Sequence, residues 1–422
     1  GRQPANAAAC RLRQGVDPIR LDPLPGRLPG PFSASQVNSM QLSRRLDHIA
    51  PFHVMAILEK AKALEAAGHD VIHMEIGEPD FPTPAPIVAA GMAALQNGRT
   101  FYTPALGIPE LRQAIARFYQ QRYGVDVPAR RIVVTPGASG ALQLALAALV
   151  NPGEQVLLPD PTYPCNRHLV SLVNGEPVSI PVNADSGYQL QAEDIARHWS
   201  ANTVAAMIAS PANPTGTLIA PDALQQLHQA VRVQGGVLLV DELYHGLTYD
   251  GDAHTALAVS DDIFVVNSFS KYFQMTGWRL GWLVVPDAYV DAVTRLAQNL
   301  FLSPSTPAQY AALAAFTPET QRILESRRAE FQRRRDALLA AFAPLGFKFP
   351  AQPQGAFYVY ADVSAHTDDS FAWAEQILQD AHVAIAPGRD FGQHQAARHV
   401  RLAYTTSEAR LREAAARIAA CL

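Results

Sequence analysis

Residues 263–281 read I-F-V-V-N-S-F-S-K-Y-F-Q-M-T-G-W-R-L-G, and the rest of the chain can be ordered around them. Ile263 to Val266 is a run of β-branched and aromatic residues, the pattern of a buried strand. It passes through a polar turn, Asn267-Ser268-Phe269-Ser270, straight to Lys271. A lysine at the carboxyl end of a core strand is costly unless it has a partner. Burial also lowers its pKa, and a deprotonated amine can attack a carbonyl to form a Schiff base. Arg279 follows one short loop later, between Gly277 and Gly281, which let backbone approach a ligand closely. Ser268, Ser270, Lys271 and Arg279 together suit an aldehyde that also carries a phosphate.

Bulk properties narrow the choice. A chain of 422 residues is too long for one simple core and implies two domains, or a large one with a satellite. With 48% hydrophobic and 17% charged residues, a packed globular protein is expected rather than a disordered one. The net charge of −4 gives no electrostatic case for nucleic acid or an anionic membrane as partner. No apolar run reaches the length of a membrane span. Cys10, Cys165 and Cys421 are far apart and odd in number, which argues against a disulfide framework and for a reducing, cytoplasmic location. The 13 histidines carry no H-E-x-x-H or Cys-x-x-Cys spacing, so no metal site is expected. Residues 1–39 are rich in proline and lack periodicity, and read as an extension outside the fold, expected to be disordered. Their arginines hint at a targeting peptide, but the closely spaced prolines oppose the amphipathic helix such peptides need.

Further motifs carry chemistry of their own. Arg131 to Val150 reads as strand, tight P-G-A-S-G turn and helix. Free amides at a helix N-terminus make an anion site, so Gly137, Ala138 and Ser139 are candidates to hold a phosphate. The turn is neither G-x-G-x-x-G nor a P-loop with its lysine, which weakens a nucleotide reading. Gly236 to Val240 is an apolar strand that ends in Asp241-Glu242-Leu243-Tyr244. Asp241 at that point is a partly buried carboxylate in need of a cation, although D-E-L-Y also suits a helix N-cap. Ser210-Pro211-Ala212-Asn213-Pro214-Thr215-Gly216 is a rigid turn at another strand's carboxyl end, the usual ligand rim of an open α/β sheet. Arg401, in the strand H-V-R-L-A-Y, has the planar fork for bidentate binding of a carboxylate.

S-F-S-K-x-F-x-M-T-G-W-R-L-G resembles the signature of class I/II aminotransferases, the fold-type-I pyridoxal-phosphate enzymes. Companion motifs follow in the family's order from Gly77 to Arg401, so the resemblance covers nearly all of the chain after residue 40. It implies an α/β fold: a large domain with a mostly parallel seven-stranded sheet flanked by helices, plus a smaller α+β domain. It implies pyridoxal 5′-phosphate as cofactor, and a reaction that moves an amino group between an L-amino acid and a 2-oxo acid. Lys271 then holds the cofactor aldehyde and moves the substrate proton, and Asp241 faces the pyridine nitrogen. Asn213 and Tyr244 reach the phenolic oxygen, while Tyr163 stacks on the ring. Gly137, Ala138, Ser139, Ser268 and Arg279 hold the phosphate, joined by Tyr102 of a neighbouring subunit, so a homodimer is expected. Gly77, Asn213 and Arg401 take the substrate, Arg401 by its α-carboxylate. Glutamate and 2-oxoglutarate are the expected partner pair, while the other substrate stays open among aspartate, alanine, aromatic and branched-chain amino acids.

The coarse layout adds a helix over 50–67, a strand from Val71 into a Gly-Pro loop, and strands near 155–158, 177–182, 203–209, 282–285, 356–360 and 399–403. Helices are expected at 287–299, 307–315, 318–342, 370–379 and 407–421. The domain division is 1–39 extension, 40–77 arm and part of the small domain, 78–317 large domain and 318–422 small domain. Two rivals keep the cofactor: a β C–S lyase on the same fold, and a non-catalytic regulator joined to a DNA-binding module.

Overall fold

The structure, a computed structural model, describes residues 42–251 and 253–422, so the expectation for residues 1–39 lies outside the described residues. The chain divides into residues 1–44 and 45–422, and all elements below lie in the second unit. In chain order, helix α1 (His53–Ala66) and strand β1 (Ile72–His73) come first, followed by α2 (Ala85–Gln96) and α3 (Pro109–Tyr123). Then strands alternate with helices: β2 (Ile132–Thr135), α4 (Gly137–Leu149), β3 (Gln155–Asp160), α5 (Pro164–Leu172), β4 (Glu176–Pro181) and α6 (Ala192–His198). β5 (Thr203–Ala209), α7 (Pro221–Val233), β6 (Val237–Asp241), β7 (Phe264–Ser268) and β8 (Gly281–Val284) complete that region. After it come α8 (Val290–Leu300), α9 (Thr306–Leu313), α10 (Pro318–Phe342), β9 (Tyr358–Asp362) and α11 (Ser370–Ala381). The last elements are β10 (Val383–Ala384), β11 (Ala386–Pro387), β12 (His399–Ala403) and α12 (Glu408–Ala419).

β2 to β8 form one seven-stranded sheet in the order β2-β8-β7-β6-β5-β3-β4. β8 runs antiparallel to both of its neighbours, and the other pairs are parallel. The expected sheet is therefore present, and its sequence explains it. Strands buried on both faces need apolar residues at every position, not alternate ones. Along β6, Leu238 and Val240 point into one core while Leu239 points into the other. Ile208 and Met207 of β5, and Trp282 and Leu283 of β8, divide in the same way. α4 and α8 cover the second face through Leu142, Leu146, Val293 and Ala297. α3 and α7 cover the first through Leu111, Ile115, Leu224 and Leu227.

A second, antiparallel sheet runs β11-β12-β9, and β1 pairs in parallel with β10. Several boundaries differ from expectation by a few residues, and two of them bear on the site. The predicted strand from Val71 pairs only at Ile72 and His73, although Met74 still bonds to Ala384 and Ala403. It ends there because the carbonyl of Glu75 accepts from Arg401 instead of from a strand. The predicted helix over 50–67 starts at His53, because the Asp390 carboxylate accepts from the amides of His53 (2.8 Å) and Val54 (2.6 Å). Among the described residues, no helix is long and apolar enough to cross a membrane.

Candidate active site

In an open sheet the carboxyl ends of parallel strands form the ligand rim. Here that rim carries Tyr163 after β3, Asn213 after β5, Asp241 at the end of β6, and Ser268 and Lys271 at the end of β7. β12 of the second sheet brings Arg401 to the same place, and the loop after β1 brings Gly77. A cavity of about 260 Å³ is bordered by Gly77, Tyr163, Asn213, Asp241, Tyr244, Lys271 and Arg401. Seven residues predicted from separate motifs thus meet at one cavity.

Lys271 is one of four lysines in the chain and the only one bordering the cavity. Its Nζ donates to the Gly77 carbonyl at 2.6 Å. Desolvation pushes its pKa down to about 8, assisted by the positive charges of Arg401 and Arg279, while Glu78 opposes the shift. Asp241 is buried, and its Oδ1 accepts from the Leu243 amide at 2.9 Å. Burial raises its pKa to about 6, with the Leu243 bond and Lys271 pulling the other way. The D-E-L-Y segment does not start a helix. It forms a turn in which buried Glu242 accepts from the Thr255 hydroxyl and the Ala256 amide.

Arg401 is almost fully buried. Nη1 donates to Asn213 Oδ1 at 3.1 Å and Nη2 to the Glu75 carbonyl at 2.6 Å. Its Nε has no hydrogen-bond partner, so this cation retains donor capacity inside the molecule. Tyr358 lies beneath the guanidinium, 4.2 Å from carbon to ring centroid, and its hydroxyl is 3.0 Å from that of Tyr244.

A second group sits where β2 turns into α4. A Cβ added to Gly137 would lie 2.4 Å from Arg279 Nη2, and one added to Gly281 would lie 2.8 Å from the Gly137 carbonyl carbon. The Ser268 hydroxyl lies 2.9 Å from that of Ser270, which Arg279 Nη1 approaches at 3.4 Å. Gly137, Ala138, Ser268 and Arg279 are therefore neighbours. Ser139 is exposed on the first turn of α4, and Tyr102 is 81% exposed; neither borders the cavity.

Residues 69–418 match the family described as aminotransferase class I and II. The chain belongs to that family. A valine–pyruvate aminotransferase of Mycobacterium tuberculosis H37Rv is 39% identical over 376 residues, covering 89% of this chain and 97% of the relative. A (5-formylfuran-3-yl)methyl phosphate transaminase of Methanocaldococcus jannaschii is 36% identical over 380 residues, covering 89% and 98%. The crystal structure of an aminotransferase from M. tuberculosis has a TM-score of 0.88 at 39% identity, covering 91% of this chain and 99% of that one. The chain is an aminotransferase on the α/β fold that the resemblance implied.

Aminotransferases of this family use pyridoxal phosphate, and the residues of this aminotransferase fit it. A partly buried amine of lowered pKa borders the same cavity as a buried carboxylate with one oxygen bonded to backbone. At the start of α4, the absence of a side chain at Gly137 lets the Arg279 guanidinium come against the helix amides, a pairing of cation and free N–H groups that suits a phosphate. Sequence reasoning missed Tyr358 and Glu75, both at the cavity wall, along with the side chains of α1 and its approach: Phe52, Val54, Met55 and Leu58. Tyr358 sits in G-A-F-Y-V-Y, which reads only as a strand. α1 reads only as an amphipathic helix.

Proposed function

We propose that this aminotransferase binds pyridoxal phosphate beside Lys271 and transfers an amino group from an L-amino acid to a 2-oxo acid in two half-reactions. The reading rests on Lys271: a partly buried, weakly basic amine in a cavity it shares with Asp241 and Arg401. When bound, the cofactor supplies an aldehyde for the substrate amine and a ring that takes up the electron pair left at Cα.

The protein does the rest. Lys271 Nζ would hold the cofactor's aldehyde, and as a free amine it would move the substrate proton from Cα. Its lowered pKa leaves part of the population deprotonated near neutrality, as a base requires. Asp241 keeps the ring nitrogen protonated, since each charge favours the other in a buried site. Asn213 and Tyr244 serve the phenolic oxygen, and Tyr163 the ring face. Arg401, with Asn213 and the Gly77 backbone beside it, fixes the α-carboxylate so that the Cα–H bond is the one presented for cleavage. Gly137, Ala138 and Ser139 at the start of α4, with Ser268 and Arg279, hold the phosphate.

The working unit is a homodimer in which Tyr102 serves the neighbouring site. Phe101 (82% exposed) and Tyr102 stand in the open, as do Met92 and Leu95 of α2, and exposed apolar side chains of this kind suit contact with a second copy. Cys165 and Cys421 are free thiols, which suits a cytoplasmic enzyme. Lys271→Ala tests the central assignment: cofactor-dependent visible absorbance and turnover should both disappear. An unchanged visible spectrum in that variant would refute it.

A further inference from the structure

The substrate class can be taken further, resting on the site assignment just given. Once the cofactor and α-carboxylate groups are set aside, the cavity wall that remains is mostly apolar, with Phe52, Val54, Met55, Leu58, Ile76, Ala209 and Leu243, and it includes Glu75 and Tyr358, whose hydroxyl lies 3.0 Å from that of Tyr244. We propose that this wall receives the substrate side chain, that the enzyme selects amino acids with uncharged, apolar side chains in place of the glutamate and 2-oxoglutarate pair expected from the sequence, and that Glu75 helps to reject a second carboxylate.

Phe52 to Leu58 are fixed relative to the site. Asp390 caps the first turn of α1 from far along the chain, so the apolar residues of that turn are held at the cavity. An apolar substrate side chain entering there is removed from water at no polar cost. A dicarboxylic substrate has no such welcome. The cavity is bordered by two cations, Lys271 and Arg401, and the site assignment above gives both to the cofactor and the α-carboxylate. A distal carboxylate would be desolvated without a partner, which is expensive.

Glu75 adds to that cost. Its side chain is 1% exposed; Oε1 lies 2.7 Å from His73 Nδ1, and Oε2 makes no hydrogen bond. Its backbone oxygen holds Arg401 Nη2, so this carboxylate belongs to the same residue that positions the α-carboxylate anchor. The ammonium of a basic substrate would likewise enter among apolar side chains, in a cavity already bordered by Lys271 and Arg401.

The test is a half-reaction screen on the cofactor-loaded enzyme, following the change from the aldehyde to the amine form of the cofactor. Valine, leucine and methionine should react with kcat/KM about a hundredfold or more above aspartate, glutamate and lysine, a size within reach of side-chain discrimination in enzyme pockets. Comparable or faster rates with the charged amino acids would overturn the proposal. No spectral change with any amino acid would instead undermine the cofactor assignment on which it rests. Glu75→Gln and Leu58→Arg should each raise the glutamate-to-leucine ratio of kcat/KM by about tenfold or more. A ratio unmoved in both variants, with cofactor still bound, would remove Glu75 and α1 from the specificity wall.

Discussion

Lys271 Nζ donates to the backbone oxygen of Gly77 at 2.6 Å, joining the end of a central strand to a loop 194 residues earlier. The bond places the reactive amine against the segment that also carries Glu75, whose carbonyl orients Arg401. Amine and carboxylate anchor are thus set by one short loop, which makes their separation a property of the fold rather than of flexible side chains.

The amine itself should titrate early. In the cofactor-free protein Lys271 has a pKa near 8 because burial disfavours its charged form, against an ordinary value of 10.5. Amine-directed acylation followed across pH by peptide mapping should therefore show Lys271 reacting with a midpoint near pH 8, well below the ordinary lysine value of 10.5. A midpoint at the ordinary value would contradict the burial argument.

Asp241 should cost the cofactor-free protein stability. Its folded pKa, about 6, lies above the ordinary 3.8, so the folded state binds more protons between those values. Stability then falls as pH rises through that window, and the full cost is present above pH 6. Asp241→Asn should stabilise the cofactor-free protein at pH 7 by on the order of 2–3 kcal/mol, with the gain vanishing below about pH 4. Denaturant melts at both pH values check this, and a pH-independent difference would contradict it. The same variant should lose turnover.

Gly77 has no room for a side chain. A Cβ there would lie 2.7 Å from the Tyr358 hydroxyl oxygen, which sits 3.0 Å from that of Tyr244. Gly77→Ala should lower kcat/KM by about tenfold or more, since overpacking typically costs about 1–3 kcal/mol. Adding Tyr358→Phe removes the clashing atom, so the double variant should be less impaired than Gly77→Ala alone. If the two defects simply add, the clash is not the cause.

Capping of α1 by Asp390 can be probed by stability and selectivity together. Asp390→Ala should destabilise the protein by about 1 kcal/mol, the usual cost of a lost cap. Because α1 supplies the apolar wall, leucine should lose more kcat/KM than alanine does. Equal losses for the two substrates would separate the cap from the wall.

Much of this protein could be read from local pattern. The apolar runs at β5, β6 and β7 declare strands buried on both faces, and α10 starts and stops at the predicted Pro318 and Phe342. The turn motifs identified Asn213, Asp241 and Lys271 because each lies within a few residues of its own strand end, where backbone geometry and chemistry are fixed together. Tyr358 and Glu75 were hidden because nothing nearby in sequence distinguishes them from ordinary strand residues. Their meaning comes from partners on other elements.

By itself, then, the sequence determined the alternation of strands and helices, the reactive lysine and the family, because these depend on periodicity and short-range spacing. Tertiary structure alone decided that α1 begins at His53, that the β1 strand stops at Glu75, and that an apolar wall faces Arg401. Each of those outcomes depends on a hydrogen bond or contact between residues hundreds of positions apart. No local preference encodes such a contact, and only the packed sheets bring its two ends together.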